Sequence, residues 1–220
     1  MELGLRGKTA IVTGGSLGIG RAIARELAQE GVSVAIIARD PPRLQAAAAE
    51  ISRETNTPCS AIPADLTDTA QLEAAMAAAQ KALGQVDILV NNAGATPMGR
   101  IGDTADEVWL KSINLKLMGY MRCARILTPA MRARKWGRVI NIIGRSGHQP
   151  RPNYITGSAV NASLLSFTLA LAAECAADNV LVTGVNPGPI ATPRWDTVVA
   201  QGAADMGRSA AQENAAAIET

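Results

Sequence analysis

The sequence predicts an α/β domain in which helices cover both faces of a doubly wound parallel sheet. Short β-rich apolar runs alternate with longer segments whose apolar residues recur every three or four positions, which is typical of repeated β-α-β units. Several of these runs are apolar on both faces, as in strands that helices cover from both sides. A glycine-rich turn also follows the first run directly, where a parallel sheet places its nucleotide sites.

Six apolar runs are predicted as strands, and helical segments connect them. The strands are residues 9–13, 32–38, 59–63, 86–90, 138–143 and 180–185. Three helical stripes lie between the first four strands: Ile19, Ile23 and Leu27; Leu44, Ala48 and Ile51; Leu72, Met76 and Leu83. Asp68 is suited to cap the third of these helices. Two longer helices are predicted at about residues 106–135 and 153–177.

Composition excludes several classes of partner. Of the 220 residues, 18% are charged, and the net charge of +2 is too small and too evenly spread for a nucleic-acid or membrane surface. The three cysteines lie far apart without metal-ligand spacing, so we expect reduced thiols and no metal site. The N-terminal residues lack the apolar stretch of a signal peptide, and polar residues interrupt the apolar stretch 160–173. We therefore expect a cytoplasmic protein without a transmembrane helix.

The turn after the first strand is the clearest binding motif. Its residues are Thr13-Gly14-Gly15-Ser16-Leu17-Gly18-Ile19-Gly20, and the first helical stripe begins inside it. Such a turn lets backbone N–H groups approach a pyrophosphate at the positive end of a helix. A tight turn without a ligand is the alternative interpretation, but the strand before it and the helix after it favour nucleotide binding.

Two further motifs occur in register with this G-x-x-x-G-x-G spacing. They are Asn91-Asn92-Ala93-Gly94 after the fourth strand and Asn186-Pro187-Gly188-Pro189 after the sixth. Together the three motifs make residues 5–193 resemble the short-chain dehydrogenase/reductase family. The resemblance implies a Rossmann-type fold and an NAD(P)-dependent oxidoreductase, assembled as a homo-oligomer (dimer or tetramer). Hydride transfer between a small carbonyl compound and its alcohol would occur at the carboxyl edge of the sheet.

The resemblance also implies the cofactor-binding residues. Asp65 and Leu66 would contact adenine, Asn91, Ala93 and Gly94 would line the nucleotide cleft, and Pro187, Gly188, Ile190 and Thr192 would hold the carboxamide. The turn would contribute Gly14, Ser16, Leu17, Gly18, Ile19 and Gly20. For Asp65 a capped turn is the alternative role, and Asn91 is equally suited to satisfy backbone groups at a strand end.

Cofactor choice depends on the end of the second strand, where an acid binds the ribose hydroxyl and a base accepts a 2′-phosphate. Asp40 precedes Pro41, which is a helix-start signature and gives this acid a structural role. Arg39 is then left for the ribose, which favours NADP(H), with NAD(H) as the alternative. Leu17 weakens this case, since NADP-preferring relatives often carry a base there.

The resemblance implies a tyrosine acid/base, a lysine four residues later, a serine before the tyrosine and an asparagine on the preceding helix. Tyr154 and Asn114 match the tyrosine and the asparagine. Ser158 stands in the lysine position and Gly144 in the serine position. A free tyrosine titrates near pH ~10, so it needs a neighbouring cation that Ser158 cannot supply. Gly144 likewise removes a donor to the substrate oxygen.

Arg145, Ser146 and His148 are conceivable substitutes in the loop before Tyr154, although an ordinary surface loop explains them equally well. Tyr154 itself has a structural alternative, packing against the cofactor without exchanging a proton. The leading hypothesis is therefore an NADP(H)-dependent oxidoreductase with Tyr154 as proton donor, Asn114 in support and a low rate. The alternative is a catalytically impaired nucleotide-binding or scaffolding protein of the same fold.

The resemblance fades after Pro193. We expect residues 1–195 to form the dinucleotide-binding domain and residues 196–220 an Ala-rich tail with weak helical periodicity and freedom to move. No further strand pattern occurs there, so the run 180–185 would become a sheet edge unless the tail or another chain covers it. The substrate pocket usually depends on this segment, and the sequence leaves the substrate undefined.

Overall fold

Six parallel strands form one sheet in residues 2–219, the part of the chain that the computed structural model describes. The strand order is β3-β2-β1-β4-β5-β6, and each neighbouring pair is parallel. The strands are β1 (Thr9–Thr13), β2 (Ser33–Ala38), β3 (Cys59–Pro63), β4 (Ile88–Asn91), β5 (Gly137–Ile142) and β6 (Val180–Val185). All six predicted strands are therefore confirmed, three of them with boundaries shifted by one or two residues. The order reverses between β1 and β4, and such a switch point opens a crevice at the carboxyl ends of the strands.

Within residues 2–219, eight α-helices connect and follow the strands. They are α1 (Gly18–Gln29), α2 (Pro41–Thr55), α3 (Thr69–Leu83), α4 (Asp106–Ser112), α5 (Gly119–Ala133), α6 (Ile155–Cys175), α7 (Pro193–Met206) and α8 (Ala210–Glu219). A side-chain cap precedes α2, α3 and α7. The carboxylate of Asp40 accepts from the N–H of Arg43, that of Asp68 from Ala70 and Gln71, and the hydroxyl of Thr192 from Trp195.

Two apolar cores lie on opposite faces of the sheet. On one face Val12, Ile36 and Val34 pack with α1 and α2. On the other face Ile11 and Ile37 pack with α3, α5 and the end of α6. Adjacent residues of one strand thus enter different cores, because successive side chains of a strand point to opposite faces. The predicted doubly wound architecture is confirmed.

The long helix predicted at residues 106–135 is not continuous. A π-helix of six residues, Ile113–Met118, separates α4 from α5. A π-helical turn contains more residues than an α-helical turn, so it changes which side chains face the sheet. This change of phase determines which residue of the segment reaches the functional site.

The segment predicted as a tail forms two helices. Residue 195 lies inside α7, and α8 follows. The indole Nε1 of Trp195 donates to Oδ1 of Asn214 at 2.7 Å, and the guanidinium of Arg208 pairs with the buried carboxylate of Glu213. The helix-start signature Thr192-Pro193 was present in the sequence but not used in the prediction.

Strand β6 is one of the two edges of the sheet, as the sequence predicted in the absence of a further strand. Leu181, Thr183 and Val185 are exposed on one face of it, with Leu181 52% accessible. The helix α6 packs against β6. The segment Ile155–Asp178 is long and apolar enough to cross a membrane by length and composition, which the interruptions in 160–173 did not suggest. A core helix that covers a sheet meets the same criterion.

Candidate functional site

The glycine turn is held tightly between β1, β2 and β4. The N–H of Gly14 donates to the carbonyl of Ile37 at 2.7 Å, and Nδ2 of Asn92 donates to the carbonyls of Thr13 and Gly14 at 2.9 and 3.2 Å. A Cβ at Gly20 would overlap the Gly14 carbonyl oxygen and Asn92 Nδ2. Only glycine therefore lets the first turn of α1 approach the strand this closely. The result is a helix N-terminus whose backbone faces the open crevice, which suits a pyrophosphate.

A cavity of about 690 Å³ runs from this turn along the carboxyl ends of the strands to Tyr154. Most of the residues that the sequence analysis selected line this one cavity. They are Gly14, Ser16, Leu17, Gly18, Ile19, Gly20, Arg39, Leu66, Ala93, Gly94, Tyr154, Pro187, Gly188, Ile190 and Thr192. Four selected residues do not line it: Asp65, Asn91, Asn114 and Ser158.

Two of these four residues have structural partners beside the nucleotide crevice. Nδ2 of the fully buried Asn91 donates to Oδ1 of Asn141 at 3.0 Å, which joins β4 to β5. Oδ1 of Asp65 accepts from the N–H and the hydroxyl of Thr67 at 2.9 and 2.8 Å. Burial raises the pKa of this carboxyl, but the Thr67 hydrogen bonds and the charge of Arg39 outweigh that effect and lower it. Asp65 therefore caps a turn, the alternative role that the sequence allowed.

The other two residues had been given places in the catalytic set. Nδ2 of Asn114 donates to the carbonyl of Thr67 at 2.8 Å, and Oδ1 of Asn114 accepts from Arg122 at 2.8 Å. The hydroxyl of the buried Ser158 accepts from the N–H of Arg151 at 3.1 Å and so anchors the loop before α6. Neither side chain is among those that line the cavity, and each is hydrogen-bonded to a backbone group.

The end of β2 separates Arg39 from Asp40. The carboxylate of Asp40 caps α2 and forms an ion pair with Arg43 at 3.2 Å. Arg39 is exposed beside the cavity and has no hydrogen bond or ion pair with another described residue. A guanidinium in this state is available to a phosphate group in the cavity.

Tyr154 stands at the opposite end of the cavity, directly before α6. Its ring lies across Gly157, where a Cβ would overlap the ring atoms. Its hydroxyl is hydrogen-bonded to the hydroxyl of Thr96, and Arg194 donates to the Thr96 carbonyl. Tyr154, Thr96 and Arg194 all line the cavity. The phenol is thus placed where a substrate oxygen could reach it, with Thr96 as its partner.

A buried polar cluster of Lys116, Asn161 and Ser146 lies at the same end of the cavity. Nζ of Lys116 donates to Oδ1 of Asn161 at 2.7 Å and to the carbonyl of Ile143, and Nδ2 of Asn161 donates to the hydroxyl of Ser146 at 2.8 Å. Lys116 is 8% accessible, Asn161 3% and Ser146 7%, and all three residues line the cavity. The three side chains come from the π-helix, from α6 and from the turn after β5.

Burial lowers the pKa of Lys116 from its ordinary value of 10.5 to about 7, with a further contribution from the positive charge of Arg194. No carboxylate among the described residues contributes to the pKa of Lys116 and offsets this burial. Among the described residues that line the cavity, Asp40 is the one acid, and it lies at the nucleotide end. Lys116 is therefore poised between its charged and neutral forms at neutral pH.

The three proposed substitutes occupy different places. Arg145 and Ser146 line the cavity, whereas the exposed His148 lies outside it, with Nε2 at 3.4 Å from Asn186 Nδ2. In residues 2–219, no group of three or more His, Cys, Asp or Glu side chains is placed to hold a metal ion.

Sequence reasoning missed Lys116, Asn161, Thr96 and Arg194. One signal was present for Lys116, since a lysine between Leu115 and Leu117 interrupts an apolar stretch of a predicted helix. The other three residues belong to no local pattern, and only the fold brings them to the cavity.

Comparison with known proteins agrees with this arrangement. A family model described as short chain dehydrogenase matches residues 8–202. Oxidoreductase UcpA of Salmonella typhimurium is 33% identical over 215 residues, which cover 97% of this chain and 81% of that protein.

Two solved structures show the same fold with different nicotinamide cofactors. L-sorbose reductase from Gluconobacter frateurii, complexed with NADPH and L-sorbose, is 35% identical with a TM-score of 0.88, over 93% of this chain and 78% of that chain. A 7α-hydroxysteroid dehydrogenase complexed with NADH and 7-oxo glycochenodeoxycholic acid is 27% identical with a TM-score of 0.84. That match covers 88% of this chain and 75% of that chain.

Proposed function

The chain belongs to the short chain dehydrogenase family, and from this premise we propose that it is an NADP(H)-dependent oxidoreductase. It interconverts a small carbonyl compound and the corresponding alcohol, with Tyr154 as acid/base. The observation that carries the proposal is the continuous cavity, because it connects the glycine turn and Arg39 at one end with Tyr154 at the other. A cofactor bound at the first end would extend toward a substrate at the second.

The residues present fit a nicotinamide dinucleotide. The glycine turn presents backbone N–H groups at the N-terminus of α1, and no Cβ can be accommodated at Gly20. Gly188, Ile190 and Thr192, to which the resemblance assigns the carboxamide, also line the cavity. When bound, the cofactor would supply or accept the hydride.

Arg39 supports the choice of NADP(H). Its guanidinium is exposed beside the cavity, while the neighbouring carboxylate of Asp40 is committed to capping α2 and to Arg43. A basic residue at the end of this strand suits a 2′-phosphate, and an available acid would suit the ribose hydroxyl of NAD. L-sorbose reductase, which shares 35% identity, is an NADPH complex.

The Tyr154 hydroxyl is proposed to exchange a proton with the substrate oxygen. Thr96 accepts from or donates to that hydroxyl, so it orients the phenol within the cavity. In the reducing direction Tyr154 donates its proton to the oxygen of the carbonyl group, and in the oxidising direction it takes the proton back.

A second candidate function is nucleotide binding without hydride transfer. The position of Ser158 favours it, because this hydroxyl is used by the Arg151 N–H and no lysine stands in its place. Gly144 also supplies no hydroxyl to a substrate oxygen. Both candidate functions predict that the protein binds the cofactor, but only the oxidoreductase is expected to turn over a carbonyl compound.

The test measures binding before turnover. NADPH and NADH are titrated into the purified protein by cofactor fluorescence, and NADPH consumption is then followed at 340 nm with a panel of small ketones, aldehydes and keto sugars. We expect tighter binding of NADPH, turnover of at least one carbonyl compound and loss of turnover in Tyr154→Phe.

Each failure has a separate meaning. Undiminished turnover in Tyr154→Phe would remove Tyr154 from the mechanism and leave the oxidoreductase standing. NADPH binding without turnover of any carbonyl compound would favour the second candidate, and no binding of either cofactor would overturn both.

A further inference from the structure

We propose that Lys116 is a catalytic residue of this site, which carries the positive charge and an exchangeable proton at the reacting end of the cavity. The inference rests on the proposed function and extends it. The resemblance implied that a lysine four residues after the tyrosine supplies this positive charge. In this chain we assign that role to Lys116 of the π-helix. Ser158, which occupies the position after the tyrosine, has no charge and does not line the cavity.

The hydrogen bonds of Lys116 leave one proton for the cavity. A lysine ammonium has three N–H donors. Two of them are used by the carbonyl of Ile143 and by Oδ1 of Asn161. A neutral amine keeps exactly these two donors, so loss of the third proton breaks neither bond. Since Lys116 lines the cavity, the third position is the one available to a substrate.

The cluster around Lys116 holds the amine in place. Asn161 accepts from Lys116 through Oδ1 while its Nδ2 donates to Ser146, so the amide cannot rotate without breaking a bond. A Cβ at Gly94 would lie 2.9 Å from Cδ of Lys116, and the missing side chain leaves space for the lysine stem. The amine is therefore fixed by two elements outside its own helix.

The charges that face Lys116 are positive. Arg194 comes from α7, and Arg145 and Arg151 come from the segment between β5 and α6, where Tyr154 is the other titratable group of the lining. Among the described residues of the lining, the carboxylate of Asp40 lies at the far end and is paired with Arg43. Burial, and after it the charge of Arg194, favours the neutral amine and lowers the pKa of Lys116 to about 7.

The proton balance of the reducing direction is simple. The carbonyl carbon gains a hydride from the reduced nicotinamide cofactor, the π-electron pair moves to the oxygen, and that oxygen gains one proton. Tyr154 donates its proton to that oxygen, Lys116 donates its third proton to the resulting Tyr154 phenolate and becomes neutral, and solvent then returns a proton to Lys116. The products are the alcohol and the oxidised cofactor. The oxidising direction needs neutral Lys116 to accept the proton.

The first experiment does not depend on activity. The chain has five lysines, Lys8, Lys81, Lys111, Lys116 and Lys135, so lysine labelled with ¹³C gives few Cε resonances. A pH titration by NMR should show one resonance that titrates near pH 7 and is absent in Lys116→Met. Exposed lysines titrate near ~10.4. A Lys116 resonance that titrates with them would overturn the proposal.

The second experiment measures turnover with NADPH and the carbonyl compound found for the wild type. Lys116→Met should lower kcat by about 10²- to 10⁴-fold, the usual range for loss of an acid/base group, with NADPH affinity within about threefold. Lys116→Arg should be as slow, because a guanidinium keeps its proton. Lys111→Met is the matched control, because Lys111 is exposed at the end of α4 and outside the cavity, and it should retain full kcat.

The third experiment moves the pKa of Lys116 without removing it. In Asn161→Asp a carboxylate replaces the amide that lies 2.7 Å from Nζ, which favours the ammonium and raises its pKa. Wild-type reduction should fall as pH rises through about 7, and the variant profile should shift to higher pH together with its NMR titration. A structural role for Lys116 would leave the pH profile unchanged.

The failures can be told apart. Full kcat in Lys116→Met or Lys116→Arg, or an unshifted profile in Asn161→Asp, would overturn the role of Lys116 and leave the oxidoreductase standing. A wild-type protein that binds NADPH but reduces no carbonyl compound would overturn the proposed function, and the catalytic role of Lys116 with it.

Discussion

The two ends of the cavity are built from different kinds of groups. At the nucleotide end, backbone atoms of the glycine turn form most of the proposed binding surface. Asn92 holds that turn by donating to two of its carbonyl oxygens. At the reacting end, side chains from the π-helix, α6 and the turn after β5 meet in one buried cluster. The nucleotide end therefore follows from a local motif, whereas the reacting end exists only after these elements pack together.

This difference also affects how each end tolerates substitution. A backbone site constrains the size of its residues, and Gly20 has no space for even one carbon atom. A side-chain site constrains charge and hydrogen bonding, and its groups can come from any element that reaches the place. At the first end the glycine turn matches the spacing that the resemblance implies, whereas at the second end Ser158 stands where the resemblance implies a lysine.

The largest expected effect is on the pH dependence of the free energy of unfolding, and it comes from Lys116 at the reacting end. Because burial lowers the pKa of Lys116 to about 7, the unfolded chain binds a proton between pH 7 and pH 10.5 that the folded chain does not. The free energy of unfolding of the wild type should therefore rise with pH relative to Lys116→Met. The slope should be about 1.4 kcal/mol per pH unit, or about 5 kcal/mol over the whole window.

Urea denaturation at several pH values between 7 and 9.5 measures this difference. Lys111→Met serves as control and should run parallel to the wild type. Parallel curves for wild type and Lys116→Met would show that Lys116 keeps its ordinary pKa and would remove the contrast between the two ends.

The next effect concerns the backbone of the nucleotide end. Gly20→Ala should weaken NADPH binding by about 100-fold, or about 2.7 kcal/mol, because the new Cβ displaces the Gly14 carbonyl and Asn92. Fluorescence titration measures the affinity, and thermal unfolding without cofactor verifies that the variant is folded. Gly102→Ala is the matched control, since a Cβ there meets nothing within 4 Å. Equal affinities in the two variants would refute the close-approach argument.

A smaller effect is expected at Arg39, the side chain proposed to determine the preference for NADPH over NADH. Arg39→Met should lower NADPH affinity by about tenfold, close to 1.4 kcal/mol for one exposed charged contact, and leave NADH affinity unchanged. Arg53→Met, in the last turn of α2 and outside the cavity lining, should change neither. An equal loss for both cofactors would place Arg39 on a part of the nucleotide that NADH shares.

The smallest expected effect is that of a substitution on β6, outside both ends of the cavity. Leu181→Lys should change the free energy of unfolding by less than about 0.5 kcal/mol, because Leu181 is half exposed on the edge strand β6. A lysine on an edge strand opposes pairing with another chain, so light scattering during heating should decrease. A loss of several kcal/mol would mean that this face is covered in the folded protein, as a homo-oligomer contact would cover it.

Local patterns predicted most of the architecture. Alternating apolar runs located all six strands, since a strand buried on both faces needs a continuous apolar run. The caps at Asp40 and Asp68 were visible in the sequence and form as expected. The π-helix was not predicted, because the sequence analysis treated residues 106–135 as one continuous helix.

The same distinction separates the residues of the site. The sequence by itself determined the glycine turn, the placement of Arg39 beside a capping Asp40 and the position of Tyr154 before α6, because each depends on residues adjacent in the chain. Only the tertiary structure decided that Asn114 and Ser158 bind backbone groups and do not line the cavity, and that Lys116 meets Asn161 within it. The physical reason is that burial and hydrogen-bond partners determine what a polar side chain does, and these come from elements far apart in the sequence.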